Sequence, residues 1–401
     1  MTKKKSESIK ILMVTRETLS DRRYGLGRSL MPIVEELRQR GISADYICQI
    51  DLGQRATHWQ IRLQHILASF TRNGETSTDF PALLYGLLER FNMGRLAAKL
   101  AAKQGYTHVH CHDPLIAAGF RFFLRFHFGC RAIWGVTEHG FGCYAQAMHE
   151  DGVRLGRHVM HIMRIWERHT LLAASWVIAP TSSGITQIAH DLKISPLPKK
   201  WHPLVHARPI LNQYDKREAR HRLGWNTDMV YLLSVGRIAP VKQFPLLIEA
   251  CAKLKIKKDF QLVILGDGNS DPLQKLAQQL GFAREIIFAT TEDIGLYLYA
   301  ADLYVSASAS ESFGLANLEA LVAGTAAICT AVGGVPEVVG EGALLTEPTL
   351  NALVEAMQRM LTDKELREVI VQKGQTRAKA WPDIIQITDL YEAIYRQVAA
   401  S

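Results

Sequence analysis

The chain has 401 residues, of which 48% are hydrophobic and 21% charged, and its formal net charge is +8 with a sequence pI near 9.1. The length favours two domains over a single core. The positive charge favours a negatively charged partner, either nucleic acid, an anionic lipid surface or a phosphorylated substrate. Six cysteines without a CxxC pair argue against a zinc site or a disulfide framework and favour reduced thiols, as in a cytoplasmic protein.

Strand and helix patterns alternate in the first half of the chain. Residues 9–14 form a continuous apolar run, which is typical of a buried parallel strand and too short for a signal sequence. A loop with Gly25 and Gly27 follows, and then a helix pattern from Ser29 to Arg40 that ends at Gly41. Further strands are predicted at residues 107–111, 132–136 and 176–179.

The second half repeats this alternation more regularly, beginning with a strand at residues 229–235. Such βαβ repetition predicts parallel sheets covered by helices on both faces. Residues 196–209 contain four prolines, and the domain boundary is predicted there. The tail from Leu350 to Ala400 is predicted to be helical throughout. The later strands are predicted at 261–265, 286–289, 303–306 and 326–330, and the helices at 245–254, 272–280, 293–301 and 315–322.

The predicted fold is therefore α/β, with two doubly wound, Rossmann-like domains that face a cleft. Ligands of such sheets bind at the carboxyl ends of the strands. The predicted domains are residues 1–203, residues 204–382, and a last segment, 383–401, that crosses back to the first domain. The longest weakly charged run, Leu321 to Val335, is shorter than the ~20 residues that a membrane-spanning helix needs.

The first βα loop contains Gly25-Leu26-Gly27, which matches the beginning of a dinucleotide-binding fingerprint. The third glycine is missing, because Leu30 occupies its position. A lone GxG is weak evidence. A tight turn and a phosphate contact both remain open for Gly25 and Gly27.

Two cations follow the first strand of the second half. Arg237 lies just after that strand, and Lys242 lies just before a helix whose N-terminus favours an anion. Arginine offers a planar fork for a phosphate and lysine a point charge. The pattern favours a phosphate site over two solvated loop cations.

Two acidic residues flank another helix start, in the stretch ESFGLANLE from Glu311 to Glu319. The backbone N–H groups of the first helical turn can hold a phosphate, and a carboxylate beside them would repel it. The carboxylates therefore favour sugar hydroxyls, one on each side of a diphosphate. This predicts a nucleotide-sugar; the alternative is that both acids only complement the helix dipole.

The same stretch resembles the E-x7-E motif of the family-four retaining glycosyltransferases, which have the GT-B fold. Three more stretches resemble conserved segments of that family in the same order: SVGRIAPVKQFPLLIEA, LGDGNSDPLQKLAQQLG and AVGGVPEVV. The N-terminal half fits more loosely, through IKILMVTRE, YTHVHCHDPL and GVTEHG. One departure concerns the donor loop, where Gln243 follows Lys242 in place of the family's glycine.

The resemblance implies a donor site in residues 204–382. Arg237 and Lys242 would hold the diphosphate, Glu311 the hydroxyls of the donated sugar and Glu319 the ribose. The remaining donor-binding residues implied by the resemblance are Gly25, Gly27, Gly236, Gly266, Phe313, Gly314 and Leu315.

The resemblance also implies a catalytic set of His139, Glu311, Arg237 and Lys242, with His139 beside the anomeric carbon. The family retains the anomeric configuration, by a front-face route in which the leaving phosphate helps to deprotonate the acceptor. No protein nucleophile and no cofactor are then required. Residues 1–203 would bind the acceptor.

Three histidines, His108, His110 and His112, alternate along one predicted strand and would share one face. A metal site is disfavoured because no second ligand cluster accompanies them. His112 and Asp113, at the strand end, are instead candidates for acceptor binding. The chain has no DxD sequence, so the prediction is a metal-independent enzyme.

Two stretches combine aromatic and basic residues. The segment Gly119–Arg131 favours contact with an anionic membrane surface, because so many phenylalanines between arginines are hard to bury. The stretch from His58 to Arg72 carries an apolar and a basic stripe and fits a core-facing helix slightly better. No basic and aromatic platform for nucleic acid is predicted.

We therefore expect a cytoplasmic enzyme, peripheral on the inner face of a membrane, that transfers a sugar from a UDP-sugar more readily than from a GDP-sugar. The expected acceptor is a lipid-linked or envelope polysaccharide intermediate. Three alternatives stay open: a nucleotide-sugar epimerase, a sucrose-type synthase, and a catalytically silent nucleotide-sugar-binding partner.

Overall fold

A computed structural model describes residues 9–17, 26–53, 62, 79–255 and 259–400. The chain divides into two compact units. The first unit comprises Met1–His149, Val153–His206 and Ile384–Ser401, and the second comprises Glu150–Gly152 and Ala207–Asp383. Gly25 and most of the stretch from His58 to Arg72 lie outside the described residues.

The first unit is built on a parallel sheet. Its strands are β1 (Lys10–Val14), β2 (Ser43–Ile47), β3 (His108–Cys111), β4 (Ile133–Thr137), β5 (Val177–Ala179) and β6 (Trp201–Pro203), in the order β2-β1-β3-β4-β5-β6. The predicted apolar run forms β1, which is buried and pairs on both sides. β2 was not predicted, because Ser43 and Asp45 interrupt its apolar pattern. β6 was not predicted either, because it lies in the proline-rich stretch.

Two long helices of the first unit begin at aspartate capping residues. Asp79 and Asp113 each accept backbone N–H bonds at a helix start, and each is followed by a proline in the first turn. The helices of this unit are α1 (Leu26–Gln39), α2 (Phe80–Gln104), α3 (Pro114–Leu124), α4 (Tyr144–Glu150), α5 (Arg157–Ala173), α6 (Ser182–Asp191) and, at the end of the chain, α15 (Ile384–Ala400).

The second unit is built on another parallel sheet. Its strands are β7 (Val230–Val235), β8 (Phe260–Leu265), β9 (Ile286–Ala289), β10 (Leu303–Ser306), β11 (Ala327–Thr330) and β12 (Leu344–Thr346), in the order β12-β11-β10-β7-β8-β9. All predicted strands of this half form, with bounds that differ by at most one residue. β12, a three-residue edge strand, was not predicted.

The helices of the second unit separate its strands as the βαβ pattern predicted. The tail was predicted as one helical stretch, and this was wrong: it forms three helices that break at Asp363 and again between Ala380 and Asp383. The helices are α7 (Lys216–Leu223), α8 (Phe244–Ala252), α9 (Asp271–Gln279), α10 (Ile294–Ala300), α11 (Leu315–Ala323), α12 (Val335–Val339), α13 (Leu350–Thr362) and α14 (Lys364–Lys379).

The predicted α/β fold class is confirmed, including the return of the last helix to the first unit. Arg40, directly after α1, forms ion pairs with Asp389 and Glu392 of α15. The strand order reverses between β1 and β3 in the first unit and between β7 and β10 in the second. Neighbouring loops diverge at such points, so the crevices for ligands are expected there. Among the described helices, none combines the length and the apolar character that crossing a bilayer requires.

Candidate functional site

The strand-order reversal of the second unit brings together two loops with predicted site residues. The loop after β7 carries Arg237 and Lys242, and the loop after β10 carries Glu311. A backbone hydrogen bond of 2.8 Å, from Ala309 N–H to the Val241 carbonyl, joins the two loops. The predicted anion-binding and sugar-binding groups therefore lie at one crevice of one sheet.

Lys242 and Glu311 are in direct contact within this crevice. The Lys242 Nζ lies 2.5 Å from Glu311 Oε2, and both side chains are mostly buried. Ser308 Oγ donates to the same carboxylate oxygen at 3.3 Å. The two residues neutralise each other, so a diphosphate that binds Lys242 must compete with Glu311.

Arg237 has a different partner in the second unit. Its Nη2 lies 2.9 and 3.0 Å from the two carboxylate oxygens of Asp151. Asp151 was not predicted, and no pattern in the sequence marks it, because it lies 86 residues before Arg237. The guanidinium is more than half exposed and is accessible to another anion.

Two glycines allow the loops after β7 and β8 to pack closely. A Cβ atom on Gly266 would lie 2.0 Å from the Gly236 carbonyl oxygen, so only glycine fits there. A Cβ atom on Gly236 would lie 3.0 Å from Lys242 Cε. Both glycines, predicted as donor-binding residues, shape the crevice around Lys242.

Gln243 occupies the position at which the sequence departs from the related family. It adopts a left-handed conformation, with φ 48° and ψ 39°, directly before α8. Glycine adopts this conformation most easily. The backbone therefore keeps here the shape that a glycine would favour, although the side chain differs.

Gly314 precedes α11 and is also left-handed, with φ 77°. A Cβ atom there would lie 2.4 Å from Asn317 Nδ2 and 3.2 Å from Glu311 Cγ. Phe313 is buried against Trp381. Leu315 begins α11, and the backbone N–H groups of the first turn of this helix can donate hydrogen bonds to an anion. Glu319 lies inside α11 and is buried.

In the first unit, Glu17 occupies the N-terminus of α1. Its carboxylate accepts the N–H groups of Leu26 and Gly27, at 2.6 and 2.8 Å, and the hydroxyl of Tyr46 at 3.0 Å. Burial raises the pKa of Glu17. The N–H of Gly27 is therefore used by a side chain of the protein, and donor binding by Gly27 stays a prediction. Glu17 itself was not predicted as a site residue.

His112 and His139 form a pair at the carboxyl ends of β3 and β4. The His112 Nδ1 lies 3.1 Å from His139 Nε2, and the rings stack with 5.4 Å between centroids. His206 stacks on the other side of His139 at 5.8 Å. Burial, together with the neighbouring histidines, lowers the pKa of His112 and His139 well below the usual value. Both imidazoles are therefore neutral near pH 7.

His108 and His110 lie on one face of β3, as the alternation predicted. His110 Nδ1 is 2.8 Å from the Tyr395 hydroxyl, and His110 Nε2 is 2.7 Å from Thr137 Oγ1. His108 Nε2 is 3.1 Å from the Tyr395 carbonyl. Within the described ranges no cluster of metal-ligating side chains occurs. These two histidines anchor α15 to the sheet of the first unit.

Asp113 is engaged in structural contacts. Its Oδ2 accepts a hydrogen bond of 2.9 Å from Arg90, and its Oδ1 accepts the N–H groups of Leu115 and Ile116. These contacts do not favour the predicted acceptor role of Asp113, which stays a prediction. Two further buried carboxyls, Glu138 and Glu167, lie near it and were not predicted as site residues.

Part of the chain is similar in sequence to known glycosyltransferases. Residues 215–377 match the family described as "Glycosyl transferases group 1". A curated relative, an uncharacterized glycosyltransferase of Methanocaldococcus jannaschii, is 31% identical over 188 residues, which are 44% of this chain and 48% of the relative. The chain thus spans less than half of the curated relatives that it matches.

Solved structures share the fold over nearly the whole chain. Sucrose-phosphate synthase from Thermosynechococcus elongatus has a TM-score of 0.75 at 21% identity, with 98% of this chain and 100% of that chain covered. HepE of Anabaena, in complex with UDP-glucose, has a TM-score of 0.67 at 16% identity and covers 98% and 100% of the two chains. The two-unit architecture is thus the GT-B fold of glycosyltransferases.

Proposed function

We propose that this protein is a retaining, metal-independent glycosyltransferase that uses a nucleotide-diphosphate sugar as donor. One observation carries the proposal. A lysine and a carboxylate from different loops, Lys242 and Glu311, lie together at the strand-order reversal of the second unit, beside the N-terminus of α11. This combination suits a ligand that carries both phosphates and hydroxyls.

The donor would bind by exchanging partners with these residues. The diphosphate binds Lys242 and Arg237. The backbone N–H groups of Phe313, Gly314 and Leu315 face the sugar and the phosphate. The freed Glu311 accepts hydrogen bonds from hydroxyls of the donated sugar, and Glu319 binds the ribose. Gly236 and Gly266 let the loops after β7 and β8 pack closely beside Lys242.

The chemistry proposed for this site needs no protein nucleophile. The leaving phosphate accepts the proton of the acceptor hydroxyl on the face of the sugar that it leaves, so the anomeric configuration is retained. Lys242 and Arg237 neutralise the charge that grows on the leaving diphosphate, the role that a metal ion has in other transferases. The neutral imidazole of His139 can accept or donate a hydrogen bond beside the reacting carbon without adding charge.

UDP-sugars are the donors that we favour over GDP-sugars. The fold-level similarity to HepE, whose structure holds UDP-glucose, is compatible with this choice. We propose a lipid-linked or envelope polysaccharide acceptor, bound by the first unit with His112 and His139. The protein would then work in the cytoplasm, on the inner face of a membrane, with Gly119–Arg131 towards the anionic lipids.

A thermal-shift screen against a panel of nucleotide-sugars tests the proposal. A donor present at a hundredfold excess over its Kd should stabilise the fold by about 2.7 kcal/mol. The Lys242→Ala variant in the same screen is the matched control and should lose most of the shift. A panel without any stabilising nucleotide-sugar contradicts the proposal. Product analysis with a stabilising donor separates transfer from epimerisation, sucrose-type synthesis and silent binding.

A further inference from the structure

The outward surface of three neighbouring helices in the first unit has an unusual composition. Each of α2, α3 and α5 connects strands that progress in the same direction along the sheet, so all three cover the same face. A Cβ atom on Gly94 of α2 would lie 2.4 Å from the backbone of α3, and Phe91 of α2 stacks on Trp166 of α5. We call the outward side of these helices, with the connecting residues 125–131, the helix-layer surface.

Large apolar side chains project from the helix-layer surface. On α2, Phe80, Leu84 and Leu88 follow each other at intervals of four residues and form one exposed stripe. This surface carries nine of the sixteen large apolar side chains that are exposed in the described chain. The other six are Phe122, Phe126, Phe128, Ile162, Ile165 and Leu172.

The segment Gly119–Arg131 is only partly exposed. Phe120 is a fully buried residue of α3, whereas Phe126 is 63% and Phe128 97% exposed. The sequence-based expectation that these phenylalanines cannot all be buried is therefore correct for the end of the segment. The exposed part projects from the end of α3.

All exposed charges on the helix-layer surface are positive. The stripe of Phe80, Leu84 and Leu88 continues along α2 with Arg95 and Lys99. These helices also carry two carboxylates, Glu89 and Glu167, and both are buried. No carboxylate is exposed in residues 80–104, 114–131 or 157–173, all of which are described. The remaining exposed arginines are Arg125, Arg131, Arg157 and Arg168.

We propose that the helix-layer surface binds an anionic lipid bilayer. A water-exposed helix face normally carries charges of both signs and few large apolar residues. The helix-layer surface instead carries only positive exposed charges and many large apolar side chains. Apolar side chains between arginines fit the boundary between acyl chains and headgroups, where the guanidinium groups meet lipid phosphates. The proposal extends the predicted contact at Gly119–Arg131 to α2 and α5. The proposed function explains why such binding would be useful, because it would give access to a lipid-linked acceptor. In this respect alone the proposal rests on the proposed function.

Sedimentation with vesicles tests this proposal without any catalytic readout. We expect the full chain to sediment with phosphatidylcholine vesicles that contain about a third of phosphatidylglycerol, and not with phosphatidylcholine alone. Binding should weaken as salt is raised, because the contacts of exposed cations are screened.

Two paired variants probe different parts of the surface. Arg125→Glu with Arg131→Glu, and Ile162→Ser with Ile165→Ser, should each lower the partition coefficient by about tenfold or more. The second pair lies outside the segment identified from the sequence, so it tests the extension to α5. Matched controls in the second unit are Arg217→Glu with Lys275→Glu for charge and Ile210→Ser for apolar exposure, and these should bind vesicles like the wild type.

The outcomes separate this proposal from the proposed function. UDP binding by each variant reports on the fold and on the donor site independently of lipid. Loss of vesicle binding in both surface pairs with normal UDP binding supports the proposal. Equal sedimentation of surface and control variants overturns it, and so does sedimentation with phosphatidylcholine alone. The chain could also fail to bind vesicles and instead form a dimer that the Ile162→Ser and Ile165→Ser pair dissociates. That result would assign the surface to a second copy of the chain and would also overturn the proposal.

Discussion

Lys242 and Glu311 lie 69 residues apart in the sequence and 2.5 Å apart in the second unit, where their side chains form an ion pair. Each is proposed to bind a different part of the donor, the diphosphate and the sugar. The ion pair neutralises both side chains when no ligand is bound. It breaks when the ligand's phosphate binds Lys242 and a sugar hydroxyl binds Glu311. Removing the carboxylate should therefore leave Lys242 more available to phosphate.

Arg237 and Asp151 form a similar but more exposed pair. Asp151→Asn should strengthen UDP binding by about one-and-a-half- to fivefold, because the diphosphate no longer competes with a carboxylate for the guanidinium. Calorimetric titration with UDP measures the change. Asp228→Asn, an exposed aspartate elsewhere in the second unit, is the matched control. Weaker UDP binding by Asp151→Asn would mean that Asp151 supports the site and does not compete with the ligand.

Glu319 should be needed for binding of the free nucleotide. Glu319→Gln removes the proposed carboxylate contact with the ribose and should weaken UDP binding by about 1.5–3 kcal/mol. The loss should be much smaller for a nucleotide that lacks the ribose hydroxyls. Glu341→Gln, at an exposed carboxylate of the same unit, controls for the substitution. Equal losses for both nucleotides would exclude a contact between Glu319 and the ribose.

Turnover should survive chelation of divalent cations. Lys242 and Arg237 supply positive charge at the crevice, and the N-terminus of α11 adds its partial charge. Initial rates of sugar transfer, with an acceptor found by product analysis, should agree with and without EDTA. If EDTA abolishes transfer and magnesium or manganese restores it, the diphosphate is neutralised by a metal.

Glu167 should make the first unit less stable as the pH rises. The Tyr144 N–H is shared between its two carboxyl oxygens, each 2.9 Å from the nitrogen, and burial raises its pKa to about 8. The folded state therefore holds a proton that the unfolded state releases above its ordinary pKa of 4.5. Stability is highest below that pKa and is lost as the pH rises through 8. Burial and the nearby Glu167 also raise the pKa of Glu138, with the same sign.

Urea unfolding of wild type and Glu167→Gln, between about pH 5 and pH 9, measures this contribution. The wild type should lose free energy of unfolding relative to the variant as the pH increases. Parallel pH profiles of the two proteins would show that Glu167 titrates at the same pH in the folded and unfolded states.

The sequence predicted the second unit better than the first, for physical reasons. Strands such as β8 and β10 contain buried apolar runs, at residues 262–265 and 303–305, and glycines and helix starts follow them. The short edge strand β12 and the polar β2 lack such a signal. Lys242, Glu311 and Gly314 could be identified because they lie next to strand ends in a local pattern.

Other site residues depend on tertiary contacts that local patterns do not encode. Asp151 reaches Arg237 from a distant part of the chain, and Tyr395 reaches His110 over 285 residues. Glu17 and His206 likewise gain their neighbours only through folding. The sequence shows the composition of α5, but its position beside α2 and α3 could be assigned only from the strand order of the sheet.

Calorimetric titration of UDP and of the best UDP-sugar into wild type, Lys242→Ala and Glu311→Gln tests the central claim most directly. Lys242→Ala should weaken both ligands by about 1.5–3 kcal/mol. Glu311→Gln should bind UDP at least as tightly as the wild type, because Lys242 is released, and should bind the UDP-sugar less tightly. Unchanged UDP affinity in Lys242→Ala, or a loss of UDP affinity in Glu311→Gln as large as its loss for the UDP-sugar, would contradict a donor site built on this ion pair.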